Sequence, residues 1–266
     1  MTTLLLALDT ATERTTVGFA GLDGGTLTLI AEAAVDARRA AMSRVLPMVE
    51  SLLDANGLVM GEVGGVIVGC GPGSFTGVRI GVATAKGLAQ GLGAPLWGVG
   101  TLDAVAWSFA EQDVLLGVVG DAMRGEVYPA LFECGGGDIR RLSQDVVAKP
   151  ADVAVQWAAL DRPILLAGGG LAKYAPVLLE ALGKSATLSG GELWQPFARG
   201  LFGAYGVALR ERALGCGDPA TVLPVYTRLS DAEENERLRV GMGVDAPASG
   251  VAGAAPRVSP RAGETL

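Results

Sequence analysis

Short apolar runs and helical repeats alternate along most of the chain. LLLALD (4–9) is too short for a helix and ends in a threonine-rich turn, so it predicts a buried strand. A second strand is expected at 15–20, and Gly24-Gly25 turn the chain into a third near 26–34. From Arg38 to Ala55 the positions Val45, Leu46, Val49, Leu52 and Leu53 recur at helical spacing, with Pro47 expected to kink or break the first turn. The run VGGVIVGC then predicts a strand, followed by a glycine-rich loop, a helix from about Val78 to Leu92, a strand PLWGVG and a helix from Thr101.

The second half repeats this order. Strands are expected at 115–121, 125–134 and 138–147, a helix from Pro150 to Leu160, a strand in PILLAGGG and a helix from Leu171 to Leu182. A βββαβα pattern thus occurs twice, with Asp9 and Asp121 each ending the first strand of their half. The expected division is a first lobe over 1–105, joined by a late helix over 195–214, and a smaller lobe over 106–194. An extension over 215–239 follows, and the Ala/Gly/Pro-rich stretch 240–266 is expected to be disordered.

Composition narrows the chemistry. The chain of 266 residues carries 40 glycines and a formal charge of −7, so tight direct grip on nucleic acid is disfavoured. Arg38, Arg39 and Arg44 form a small basic cluster, read as a solvated helix face. Three scattered cysteines and an N-terminus without a basic leader point to a reducing, cytoplasmic setting with no membrane span. There is no histidine, which removes the usual general base and the commonest zinc or iron ligand.

The loop GCGPGSFTGVR (69–79) sits where a strand feeds a helix, a usual setting for phosphate binding. Its spacing nevertheless fails. A Walker loop from Gly71 needs glycine where Thr76 stands, and a dinucleotide fingerprint needs its third glycine at the same place. A nucleophile elbow needs glycines two residues either side of Ser74, where Pro72 and Thr76 stand, and Ser74 has no histidine to activate it. What remains is a rigid turn with Ser74 or Thr76 capping the helix. Within that helix Gly77, Gly81 and Ala85 form one small-residue stripe, and Gly87 and Gly91 add a second. Such glycines call for close approach by another backbone, either the chain's own sheet or a partner helix. If a partner, Gly81→Leu should abolish dimerisation and leave the monomer folded.

The duplicated α/β order with an Asp closing each first strand resembles the two-lobed actin/Hsp70/sugar-kinase (ASKHA) architecture. LALDTATE (6–13), GPGSFTGVRIG (71–81), DAMRGEVY (121–128) and the late PVYTR (224–228) sharpen the resemblance to the TsaB (YeaZ) family, over about residues 3–230. That resemblance implies a non-catalytic scaffold subunit that binds and activates TsaD, which transfers a threonylcarbamoyl group to adenosine 37 of tRNA. TsaD carries its metal on an H-x-x-x-H helix; the corresponding ARRAAMSRVLPMV has no histidine.

The implied partners are a TsaD homologue, a second copy of the chain and a TsaE-type ATPase, with tRNA met only through the complex. The implied interface comprises Leu46, Val49, Leu53, Gly77, Arg79, Gly81, Ala85 and Leu88. No cofactor is expected on the chain alone, with ATP or ADP entering at the interface with TsaD. Positions carried over as nucleotide-proximal are Asp9, Thr10, Ser74, Asp121 and Arg124. Asp9 also has a simpler reading as a turn or cap residue. The family's arginine after Asp-Ala is replaced here by Met123, leaving Arg124 as the nearest cation. The rival class is an ASKHA-fold small-molecule kinase or ATPase, which would bind ATP and Mg²⁺ unaided.

Overall fold

The structure, a computed structural model, describes residues 2–36 and 41–227. The expected start of the first helix at 38–40 with Arg38 and Arg39, the expected extension from Arg228 to 239 and the tail at 240–266 lie outside the described residues.

Two five-stranded sheets carry the fold. The first contains β1 (Thr3–Asp9), β2 (Arg14–Asp23), β3 (Thr26–Asp36), β4 (Val63–Gly69) and β5 (Leu96–Val99), in the order β3-β2-β1-β4-β5. The second contains β6 (Val114–Met123), β7 (Glu126–Gly135), β8 (Asp138–Arg141), β9 (Ile164–Ala167) and β10 (Ala186–Leu188), in the order β10-β9-β6-β7-β8. These are the same order read from opposite ends, and each sheet pairs its first three strands antiparallel and the rest parallel. The expected duplicated α/β architecture is therefore present.

The helices are α1 (Ala41–Asn56), α2 (Phe75–Leu92), α3 (Thr101–Trp107), α4 (Pro150–Ala158), α5 (Leu171–Leu182) and α6 (Ala198–Arg210). Strand periodicity explains their placement, because successive side chains leave opposite faces of a sheet. In β1, Leu6 and Leu8 pack under α1 and α2 with Val45, Val49, Val78 and Val82. Leu5 and Ala7 face the other way, onto Leu201 and Phe202 of α6. In β6, Leu116 and Val118 meet Leu102 and Val105 of α3, while Leu115 and Val119 meet the α4 and α5 side chains Val153 and Leu178. Helices α3 and α6 thus lie between the two sheets, with α1/α2 and α4/α5 outside.

Several expected boundaries shift. Helix α2 begins three residues before Val78, because Ser74 is its cap: the Gly77 N–H donates to Ser74 Oγ at 3.3 Å. Helix α1 runs unbroken through Pro47, which lies on its exposed side. The third strand of the second half stops at Arg141, six residues short of expectation, where the Arg141 guanidinium turns to Asp103 at 2.7 Å and Asp145 at 2.5 Å. Helix α6 is shorter than the expected 195–214 span, and the three-residue β10 has no counterpart among the expected strands.

Candidate functional site

The glycine-rich loop after β4 is built into a clasp. Gly71 N–H donates to Thr101 Oγ1 at 3.0 Å, and Thr101 N–H returns a bond to the Gly71 carbonyl at 2.8 Å. Ser74 N–H donates to the Ala11 carbonyl at 2.7 Å, and the Thr10 hydroxyl donates to the Gly77 carbonyl at 2.6 Å. The backbone of Thr10 and Ala11 lies directly on the glycines. A Cβ on Gly73 would stand 2.3 Å from the Ala11 carbonyl oxygen, and one on Gly77 would stand 2.1 Å from that of Thr10. At Gly81 it would meet Thr10 Oγ1 at 2.6 Å. Gly73, Gly77 and Gly81 are a groove one residue wide, and the turn after β1 fills it. A phosphate cradle needs unspent N–H groups; here those of Gly71, Ser74 and Gly77 already donate within the chain.

Asp9 is fully buried beneath this clasp. Its Oδ1 accepts from Ala11 N–H at 2.6 Å and its Oδ2 from the Thr101 hydroxyl at 2.7 Å. Both Asp9 oxygens are used internally, and Asp9 and Thr10, two of the positions carried over as nucleotide-proximal, are buried and engaged in the chain's own contacts. Ser74 is exposed, but its oxygen caps α2. Burial raises the Asp9 pKa from 3.8 to about 6, against the lowering effect of its two donors. Burial, with Asp9 nearby, pushes the Cys70 thiol up to about 12, so it is neither thiolate nor nucleophile at neutral pH.

The sign of the Asp9 shift fixes a pH effect. The folded chain holds this proton more tightly than the unfolded chain, so the contribution is complete below about pH 4 and is lost as pH rises through about 6. A carbon-13 titration of the Asp9 carboxyl is expected to show its midpoint near pH 6; a midpoint near 4 is incompatible with the buried clasp.

Asp121 and Arg124 belong to the hairpin between β6 and β7, in the second half. Asp121 Oδ1 accepts from Met123 N–H at 2.9 Å, and Oδ2 takes the Lys173 ammonium of α5. That hydrogen bond raises the Lys173 pKa, helped by the charge of Glu13 from the turn after β1. Met123 and Arg124 both take positive φ, 63° and 50°, to make the turn. Arg124 lines an open groove of about 390 Å³ with Lys149, Pro150, Tyr174 and Val177. Among the described residues no group of three or more Cys, Asp or Glu side chains could hold a metal ion.

The positions carried over for a partner interface divide. Val49, Leu53, Gly77, Gly81 and Ala85 are buried in the chain's own core, where the stripe Gly77/Gly81/Ala85 packs against the chain itself. Leu46 is 48% exposed, Arg79 is exposed and Leu88 is half-buried. Two residues away round the helix runs a different line: Phe75, Arg79, Ala83, Gly87 and Gly91 are all exposed. Among the described residues, no neighbouring element comes within 4 Å of where a Cβ would stand on Gly87 or Gly91. Sequence reasoning missed Thr101 and Lys173. Thr101 follows a strand and a glycine, where a threonine ordinarily signals only a helix start.

No described helix is long and apolar enough to cross a membrane. A family model described as TsaD, tRNA N6-adenosine threonylcarbamoyltransferase, matches residues 35–175, more than half the chain. Among curated proteins, the tRNA threonylcarbamoyladenosine biosynthesis protein TsaB of Bacillus subtilis is 30% identical over 229 residues, 86% of this chain and 96% of that one. The uncharacterised protein ML0378 of Mycobacterium leprae is 40% identical over 150 residues, covering 56% of this chain and 40% of its own length. Among solved structures, YeaZ from Pseudomonas aeruginosa superposes with a TM-score of 0.68 at 32% identity, covering 84% of this chain and 99% of that one. The four motifs, the paired sheets and these matches agree: the chain belongs to the TsaB (YeaZ) family.

Proposed function

We propose that the chain is a non-catalytic subunit of the machinery that makes threonylcarbamoyladenosine in tRNA, and that it docks a TsaD-type transferase through α1 and α2. The observation that carries this reading is the outer line of α2. Interior glycines cost a helix roughly 0.5–1 kcal/mol each against alanine. The buried glycines are accounted for by Thr10 and Ala11, whereas a Cβ on Gly87 or Gly91 would meet no neighbouring element among the described residues. A small-residue surface on α2, with Leu46 exposed on α1, suits close approach by another helix pair.

The other half of the reading is chemical. There is no histidine, the Ser74 oxygen caps a helix, and Asp9 is sealed under the clasp with both oxygens engaged. Those features speak against the kinase or ATPase alternative, whose first-strand carboxylate must reach a metal-bound phosphate. In this reading ATP or ADP enters only at the interface with the transferase, tRNA is held by the assembly, and a TsaE-type ATPase joins the same complex. In the absence of the transferase, the face pairs two copies of the chain.

The test is co-purification of the tagged chain with the TsaD-type subunit, followed by an assay of threonylcarbamoyl transfer to tRNA. The expected result is a complex at micromolar concentration, transfer by the pair, and none by this chain alone. No association at that concentration, or transfer by the isolated chain, defeats the proposal.

A further inference from the structure

The segment after α6 returns to the first lobe and crosses α2 as a strap. The Leu96 N–H donates to the Gly217 carbonyl at 2.8 Å, Val222 is buried in the α1/α2 core, and Val225 N–H donates to the Cys70 carbonyl at 2.8 Å. The strap then delivers Tyr226 to the start of α2. Arg79 Nε donates to the Tyr226 hydroxyl at 2.7 Å. The guanidinium carbon sits 3.8 Å from the Phe75 ring centre and 5.5 Å from that of Tyr226, and the two rings are 5.2 Å apart.

This cluster is held in water, not in the core. Phe75 is 39% exposed and Tyr226 46%, and Arg79 is exposed with no carboxylate partner among the described residues. An arginine fixed by a hydroxyl and two rings has already lost most of the rotamer freedom that binding would otherwise remove. Tyrosine and arginine are also the residue types most enriched where interface energy concentrates. Phe75 and Arg79 stand at the head of the line that continues through Ala83, Gly87 and Gly91, so the anchor and the flat surface are one face.

We propose that Arg79 receives a carboxylate of the docking partner at the N-terminal end of α2, and that Tyr226 is the positioning residue that aims it. The partner helix accordingly presents an Asp or Glu opposite Arg79 and small or aliphatic side chains opposite Ala83 and Gly87. The inference rests on the docking reading above, and it ties the C-terminal segment to partner affinity.

Calorimetry of the purified full chain with the TsaD-type subunit, at several salt concentrations, tests it. Arg79→Gln is expected to weaken association roughly 10- to 100-fold and to flatten its salt dependence. Arg79→Lys should keep the salt dependence while recovering only part of the affinity, since it lacks the planar fork. Tyr226→Phe, with the ring kept and the hydroxyl lost, should weaken binding about 3- to 10-fold, as for one lost hydrogen bond of ordinary strength at an exposed position. Thermal melts of all three should stay close to wild type, because the cluster is exposed. A wild-type chain that fails to bind the subunit sinks the docking reading and the anchor together. Wild-type binding with an unaltered Arg79→Gln affinity and salt slope overturns the anchor alone. A Tyr226→Phe variant that binds like wild type overturns the positioning role.

Discussion

Gly77→Ala is expected to destabilise the chain by about 3 kcal/mol or more, at the upper end of what overpacking a well-filled core costs. The added methyl carbon would stand 2.1 Å from the Thr10 carbonyl oxygen, and that oxygen belongs to backbone. The Thr10–Ala11 turn has nowhere to retreat, since Asp9 holds Ala11 N–H and Thr10 holds the Gly77 carbonyl. In a thermal melt the loss should appear as a fall of roughly 6–12 °C, at about 2–4 °C per kcal/mol for a domain of this size. A melt unchanged within 2 °C would mean that the turn does not lie in the groove. The same geometry revises the expectation for Gly81→Leu, whose side chain would enter the space of Thr10 Oγ1. Its predicted outcome is an unfolded or aggregated chain, not a folded monomer that has lost its partner.

Gly87→Leu is the opposite case. No neighbouring element among the described residues stands within 4 Å of the new Cβ, and leucine is a better helix former than glycine by about 0.5–1 kcal/mol. The isolated chain should therefore melt at the same temperature or slightly higher. Association with the TsaD-type subunit should fall by roughly 100-fold or more, because the branched side chain holds the two helix surfaces apart. Sedimentation of the mixture measures the second effect and calorimetric melting the first. A variant that still forms the complex with wild-type affinity would remove α2 from the interface.

Gly77 and Gly87 lie in one helix, and sequence periodicity finds both of their stripes. It could not say which stripe faces in. Both are made of small residues, so neither carries the hydrophobic contrast that orients an ordinary amphipathic helix. The deciding contact is with Thr10 and Ala11, more than sixty positions away in sequence, and no local pattern reports it. The two sheets were legible for the contrary reason. Runs such as LLLAL and LLGVVG carry no polar side chain before their closing Asp9 and Asp121, as strands buried on both faces require. Asp9 was placed correctly at a strand end, yet its burial depends on the Thr101 hydroxyl, which arrives from a separate helix. The absent histidine needed no structure at all.

Helix α6 closes the face of the first sheet formed by Leu5, Ala7 and Ile67, although it is made some 130 residues after β4 begins. A chain emerging from the ribosome must therefore carry a bare apolar sheet face through the synthesis of the entire second lobe. At about 5–20 residues per second that interval lasts roughly 7–25 s, long beside the formation of helices and hairpins. The order in which the protein can be completed is set by its last third. A ribosome that stalls before Ala198 leaves behind a complete first sheet without its α6 cover, an aggregation-prone species and not a finished domain.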